Sequence, residues 1–411
     1  HTESNGTHFK SPGRYYRSGV DEKEKWEPMI YILYSADYEV YLGSNFFSEE
    51  EVLIRPTADL LDTCNKIGIP ITLFADTCCF QRYRESGLND FPGAVDEQLK
   101  NAVRDGHDVQ AHVHPHWLFT TISKEGYAPD VTRFLLGNLS IDTEDCFRMS
   151  LKILSNCRSY LNKTLTTVNR SYRCIAFRAG GYGIQPNSDL IARALRSEGF
   201  LIDSSVVPYL ILKNSVNDID FQSIPQRANY WLSETEPFSS FDSGGGVFEI
   251  PIASTTINFF ERALLRILRE ARHINNPKRG EMTVRGMPIQ DLAGTPARES
   301  SFERYHRIFK TSVEHMDVMA DPHKMFYITQ KYLKAFASTR DDVFFSVNCH
   351  PKMMGKYHLS ALMGYHNLML QKYGEEICPI TFQGAAEILE TERICKPDEH
   401  AQGFGHSRVS Y

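Results

Sequence analysis

Three imidazoles, His112, His114 and His116, fall within five residues in the run Gly106-His107-Asp108-Val109-Gln110-Ala111-His112-Val113-His114-Pro115-His116-Trp117. Neutral imidazole nitrogen is a preferred ligand of zinc and its divalent neighbours. Pro115 bars a helix from running through the histidines, so they sit where a short strand, Asp108 to Ala111, runs out into a loop. A second signal is the acidic pair in Ser35-Ala36-Asp37-Tyr38-Glu39, directly after the apolar run Met29 to Ala36. On an extended chain Asp37 and Glu39 face the same side. One carboxylate and two imidazoles make a three-ligand divalent site with an open position. A second, unligated carboxylate can then serve as the base on water.

Such a site needs elements that bring distant segments together, and the chain supplies a repeated strand–helix rhythm. Apolar strands are expected at Met29 to Ala36, Pro70 to Ala75, Asp108 to His112, Arg173 to Phe177, Phe200 to Asp203, Val247 to Ile252 and Val343 to Val347. Helices are expected at Pro56 to Ile67 (closed by Gly68), Ala94 to Arg104, Asp142 to Asn162 and Ser188 to Glu198, with two more after Ser360. Apolar strands alternating with helices predict a parallel sheet, closed as a barrel. Active sites assemble at the C-terminal ends of such strands. The rhythm breaks around 255–312, where a basic helix (Arg262, Arg266, Arg269, Arg272) and a Pro/Gly-rich loop read as an insertion. The basic face is read as solvated. Residues 1–27 and 396–411 are polar, without periodicity, and are expected to be poorly ordered, leaving 28–395 as one domain.

With 411 residues, 42% hydrophobic and 23% charged, the composition is that of an ordinary globular enzyme. A net charge of −6 gives no reason to expect nucleic acid as partner. No stretch approaches the length of apolar sequence that spans a bilayer. The nine cysteines form no regular framework, which favours reduced thiols. With no signal peptide visible, a cytoplasmic location is the expectation.

Five segments in order resemble the NodB-homology polysaccharide deacetylases (carbohydrate esterase family 4 and relatives). They are Tyr34 to Glu39, His107 through His112 to His116, Phe177-Arg178-Ala179-Gly180-Gly181-Tyr182, Gly199 to Ser205, and Ser346-Val347-Asn348-Cys349-His350-Pro351-Lys352. The first resembles the Asp-X-Asp/Glu variant of the family's outlying branches. The resemblance implies a distorted (β/α)7-type barrel carrying an inserted helical and loop segment. It implies Asp37 as base, Glu39, His112 and His116 as metal ligands, and Arg178 orienting the base. It gives Tyr182 an oxyanion role through its backbone N–H, His350 the role of acid and Asp203 that of tuning the acid. The implied ion is zinc, with cobalt, manganese, nickel or iron as alternatives. Slipped by one residue, the alignment makes Asp37 the ligand and puts Ala36 at the base position.

Pro115 biases His114 towards an extended backbone, turning it away from its neighbours or towards substrate. Tyr38, Trp117 and Tyr182 are placed to stack on a sugar ring or to pack the barrel. His107 reads as structural and Cys349 as a core residue. The implied reaction is hydrolysis of an N-acyl group, by default N-acetyl, on an amino sugar or glycan precursor. Two alternatives stand beside it. One is deformylation or cleavage of another non-peptide C–N bond; the other is a carbohydrate-binding barrel impaired in catalysis, suggested by Ala36 and by Gly180-Gly181 in place of the family's proline. Oligomeric state is not legible.

Overall fold

The computed structural model describes residues 29–222, 224, 227–232, 246–272, 284–293, 311–336 and 342–395. The expectations for the two termini and for much of the Pro/Gly-rich loop lie outside the described residues. Seven parallel strands form the main path of the sheet: β1 (Ile30–Tyr38), β2 (Thr72–Asp76), β3 (Asp108–Val113), β4 (Ala176–Ala179), β5 (Ile202–Asp203), β6 (Phe248–Glu249) and β7 (Val343–Val347); a further short strand, Ile377–Pro379, also pairs parallel with β1. Their spatial order is β6-β5-β4-β3-β2-β1-β7. The sheet curls until its ends meet at a single parallel bridge, Ile252 to Ser346. This is the expected distorted α/β barrel, with a seam between β6 and β7. Short antiparallel pieces decorate it, such as Tyr230–Trp231 beside β6.

Helices α1 (Arg55–Ile67), α2 (Thr77–Glu85), α3 (Asp90–Arg104), α4 (Thr143–Leu165) and α5 (Ser188–Ser197) cover the sheet. Helix α1 ends on Gly68 at φ 70°, the left-handed cap that glycine adopts without steric cost. The basic helix α6 (Phe259–Ala271) is capped by Asn258, whose side chain accepts from Glu261 N while the Glu261 carboxylate accepts from Asn258 N. Helices α7 (Pro322–Phe336), α8 (Lys356–Tyr373) and α9 (Phe382–Cys395) complete the layer. No helix among the described residues is long and apolar enough to cross a membrane.

Several strands are shorter than the sequence expectation: β5 spans only Ile202–Asp203 and β6 only Phe248–Glu249. β4 begins at Ala176, not Arg173, because side chains satisfy the preceding amides. Gln110 Oε1 accepts from both Ile175 N and Ala176 N, and Asn162 Oδ1 accepts from Cys174 N. Backbone donors already engaged this way do not extend a ladder.

Because the strands are parallel, their C-terminal ends open at one mouth. Asp37 is the penultimate residue of β1 and Glu39 follows that strand, Asp76 closes β2, His112 lies near the end of β3 and Arg178 on β4. Asp203 ends β5, Glu249 ends β6, and Asn348 and His350 follow β7. Register links them in a row: Asp76 pairs with His112, His112 with Arg178, and Asp203 with Glu249.

Candidate active site

Asp37 is 5% exposed and each of its oxygens is held. Arg178 Nη1 donates to Oδ1 at 2.7 Å, Asn348 Nδ2 donates to Oδ2 at 3.2 Å, and His350 Nε2 lies 3.3 Å from Oδ2. Arg178 is fully buried, and its remaining donors go to Ser204 O, Ser204 Oγ, Ser35 Oγ and Asn348 Oδ1. Burial alone would raise the Asp37 pKa, but Arg178 foremost, with His112 and His350, holds it well below the ordinary carboxylate range. Asp37 is therefore an ionised carboxylate held in a fixed position.

Glu39, His112 and His114 form a second cluster, with ligand atoms all within 4.8 Å of one another. Glu39 Oε2 lies 2.6 Å from His114 Nε2 and 3.4 Å from His112 Nε2. His112 Nδ1 lies 2.9 Å from the Arg178 carbonyl, which can only accept, so Nδ1 carries the proton and Nε2 presents a lone pair. Among the described residues, Glu39 Oε2 and His112 Nε2 have no hydrogen-bond partner. Buried polar atoms are seldom left this way. A carboxylate oxygen and two imidazoles converging at this spacing suit a divalent ion of the zinc class, so the donor set fits the cofactor that the sequence implies.

His116 stands outside this group. It is fully buried, its two ring nitrogens have no partner among the described residues, and burial foremost drives its pKa well down, keeping it neutral. The cause is local geometry. Ahead of Pro115, His114 keeps an extended backbone (φ −109°, ψ 94°), so it shares a face with His112 two residues earlier. Pro115 then starts the 3-10 turn Pro115–Phe119, which carries His116 round.

Gly180 explains why His114 has room. A Cβ built there would lie 2.4 Å from the His114 ring. The missing side chain at this position opens the space that the imidazole occupies.

His350, partly exposed, faces Asp37 through Nε2 and Asp317 through Nδ1, with 3.5 Å to Asp317 Oδ2. Burial works against its charge, yet Asp317 and Asp37 raise its pKa to about 10. The acid beside His350 is Asp317, not Asp203. Asp203 instead accepts from Ser205 Oγ at 2.5 Å, and Ser205 Oγ accepts from Ala179 N at 2.8 Å. Asp203 thus braces the segment leading to Tyr182. Tyr182 has φ 60°, a left-handed conformation unusual for a side chain of this size, of the kind that clusters at functional sites. Its phenol is close enough to Asp317 and Asp37 for both, after burial, to push its pKa upward. Trp117 and Tyr38 are fully buried, against Tyr127 and His116 and against Phe80 respectively, so they pack the barrel and do not line the mouth.

Four groups escaped the sequence reading. Asp76 follows an apolar strand as Asp37 does, and that signal could have found it; its Oδ1 accepts from His114 N at 3.3 Å, and burial pushes its pKa up to about 6. Asn348 and Lys352 lay inside a recognised segment without roles. Asp317 carries no local signal at all.

Behind Arg178, Glu249 pairs in register with Asp203, and its Oε1 accepts from Val206 N at 3.2 Å. Arg178 and Tyr230 are the other ionisable groups facing this pair. Burial raises both carboxyls, Asp203 to about 6 and Glu249 well above the ordinary range. A carboxyl with a higher pKa folded than unfolded binds more protons when folded. Its stability contribution is complete below the unfolded value near ~4 and is lost as pH rises through the folded value. The pair's share is therefore expected to lower the melting temperature by roughly a few degrees between pH 5 and pH 8, and the raised pKa values of His350 and Asp76 act in the same direction. Glu249→Gln, neutral throughout, should make the fall shallower by the pair's share; an unchanged slope in the variant would mean the pair holds no extra proton.

No protein-family description and no curated protein sequence matches this chain. Among solved structures it is similar to a putative polysaccharide deacetylase from Mycobacterium smegmatis, at 13% identity over 89% of this chain and 92% of that one, TM-score 0.44. It is also similar to Puue allantoinase, at 13% identity over 90% and 92%, TM-score 0.45. A third is the peptidoglycan deacetylase PdaC from Bacillus subtilis, at 9% identity over 90% and 96%, TM-score 0.30. At these identities and TM-scores the likeness assigns neither a family nor a reaction.

Proposed function

We propose that this protein is a metal-dependent hydrolase that removes an N-acyl group, by preference N-acetyl, from an amino sugar or glycan precursor. The observation that carries the reading is the pairing of a Glu39–His112–His114 cluster with a separately held carboxylate, Asp37, and a cationic His350 against it. When bound, a divalent ion supplies Lewis acidity towards water and an acyl carbonyl.

The chain's own residues divide the remaining work. Asp37, ionised and fixed by Arg178 and Asn348, takes the proton of the attacking water. Arg178 cannot lend its own proton and serves to orient and charge-balance that base. The Tyr182 segment, braced through Ser205 and Asp203, offers a backbone N–H to the developing oxyanion. His350, kept protonated by Asp317 and Asp37, gives its proton to the departing amine. The products are a carboxylic acid and a free amine.

The test pairs elemental analysis of the purified protein with a screen of acylated amino sugars, reading acetate and formate release separately. Stoichiometric transition metal with acetate release is expected. Formate release would move the assignment to the deformylase alternative, and binding of glycan with neither metal nor acid release would favour the non-catalytic one.

A further inference from the structure

Lys352 sits in the short turn Pro351–Met353 after β7 and is 6% exposed. Its ammonium donates to Glu39 Oε1 at 2.7 Å and to Val40 O at 3.0 Å, and lies 5.3 Å from the centre of the Tyr41 ring. The two oxygens of Glu39 are therefore divided. Oε1 belongs to the lysine, and Oε2 faces the two imidazoles. Asp37 is likewise matched by Arg178, so the two acids read as base and ligand each already have a cation. This differs from a pure ligand cage, whose uncompensated carboxylates would make the ion necessary for folding.

We propose that Lys352 is a resident counter-ion of Glu39, a positioning residue that competes with the divalent ion for this carboxylate. It restricts Glu39 to offering one oxygen and keeps the ion exchangeable. The proposal rests on reading Glu39, His112 and His114 as the ion site. Two effects act in the same direction. A fixed positive charge a few ångströms from a second cation disfavours it, and removing that charge leaves a buried carboxylate in need of a cation.

The experiment measures Zn²⁺ affinity by chelator-buffered titration, with melting temperatures of the metal-stripped proteins, for wild type, Lys352→Met and Lys352→Gln. Methionine keeps the length of the stem; glutamine keeps a donor towards Glu39 without the charge, and decides the matter if the methionine variant does not fold. Both variants are expected to bind Zn²⁺ about tenfold tighter or more. Stripped of metal they should melt below stripped wild type, and they should gain more from added Zn²⁺. Unchanged affinity would reduce Lys352 to packing, and weaker affinity would make it a simple support of the ligand; either overturns the proposal. Failure of wild type and both variants to bind Zn²⁺ would overturn the ion site itself, an outcome distinct from the other two.

Discussion

Asp37→Asn is expected to lower acid release by about three orders of magnitude while leaving the ion content of the protein at the wild-type level. An amide has no basicity to take a proton from water, yet Oδ1 can still accept from Arg178 as the carboxylate oxygen does at 2.7 Å. The amide nitrogen would replace Oδ2, which now accepts from Asn348 and faces His350. That mismatch costs about 1–3 kcal/mol of stability, so melting temperature is read alongside turnover. Joint loss of activity and metal would identify Asp37 as a ligand and revive the alignment slipped by one residue, with Ala36 where a base should stand.

The second large effect separates two histidines that the sequence does not tell apart. His114→Ala is expected to weaken ion binding by more than the roughly 10–100-fold typical of groups that only support ligands, with turnover lost in parallel. His116→Ala should retain the ion within about tenfold and lose stability instead, since a fully buried ring leaves a cavity. Metal titration of the two variants decides between them. The opposite ranking would restore the His112–His116 pair implied by the family spacing.

Much of the fold was legible because each barrel strand is a short apolar run ending in a polar group, a pattern that both period and composition report. Asp37, Glu39 and His112 could be named for the same reason, since strand ends in a parallel barrel share one mouth; Arg178 and His350 came only with the family resemblance. For His114 the extended backbone ahead of Pro115 leaves the ring turning either away from its neighbours or towards substrate; in the structure it shares the face of His112 and stands beside Glu39. Asp317 was beyond reach, since it lies just after the short strand Ser312–His315 and meets His350 only through a bridge to Asn348. The start of β4 was set by Gln110 and Asn162, side chains far away in sequence, and no local window contains them.

The close fit of Gly180 against the ring of His114 has a steric corollary. Because an added Cβ would lie 2.4 Å from that ring, any side chain at position 180 would have to displace the imidazole. A residue without a side chain thus fixes where the nitrogen of its neighbour across the mouth can stand.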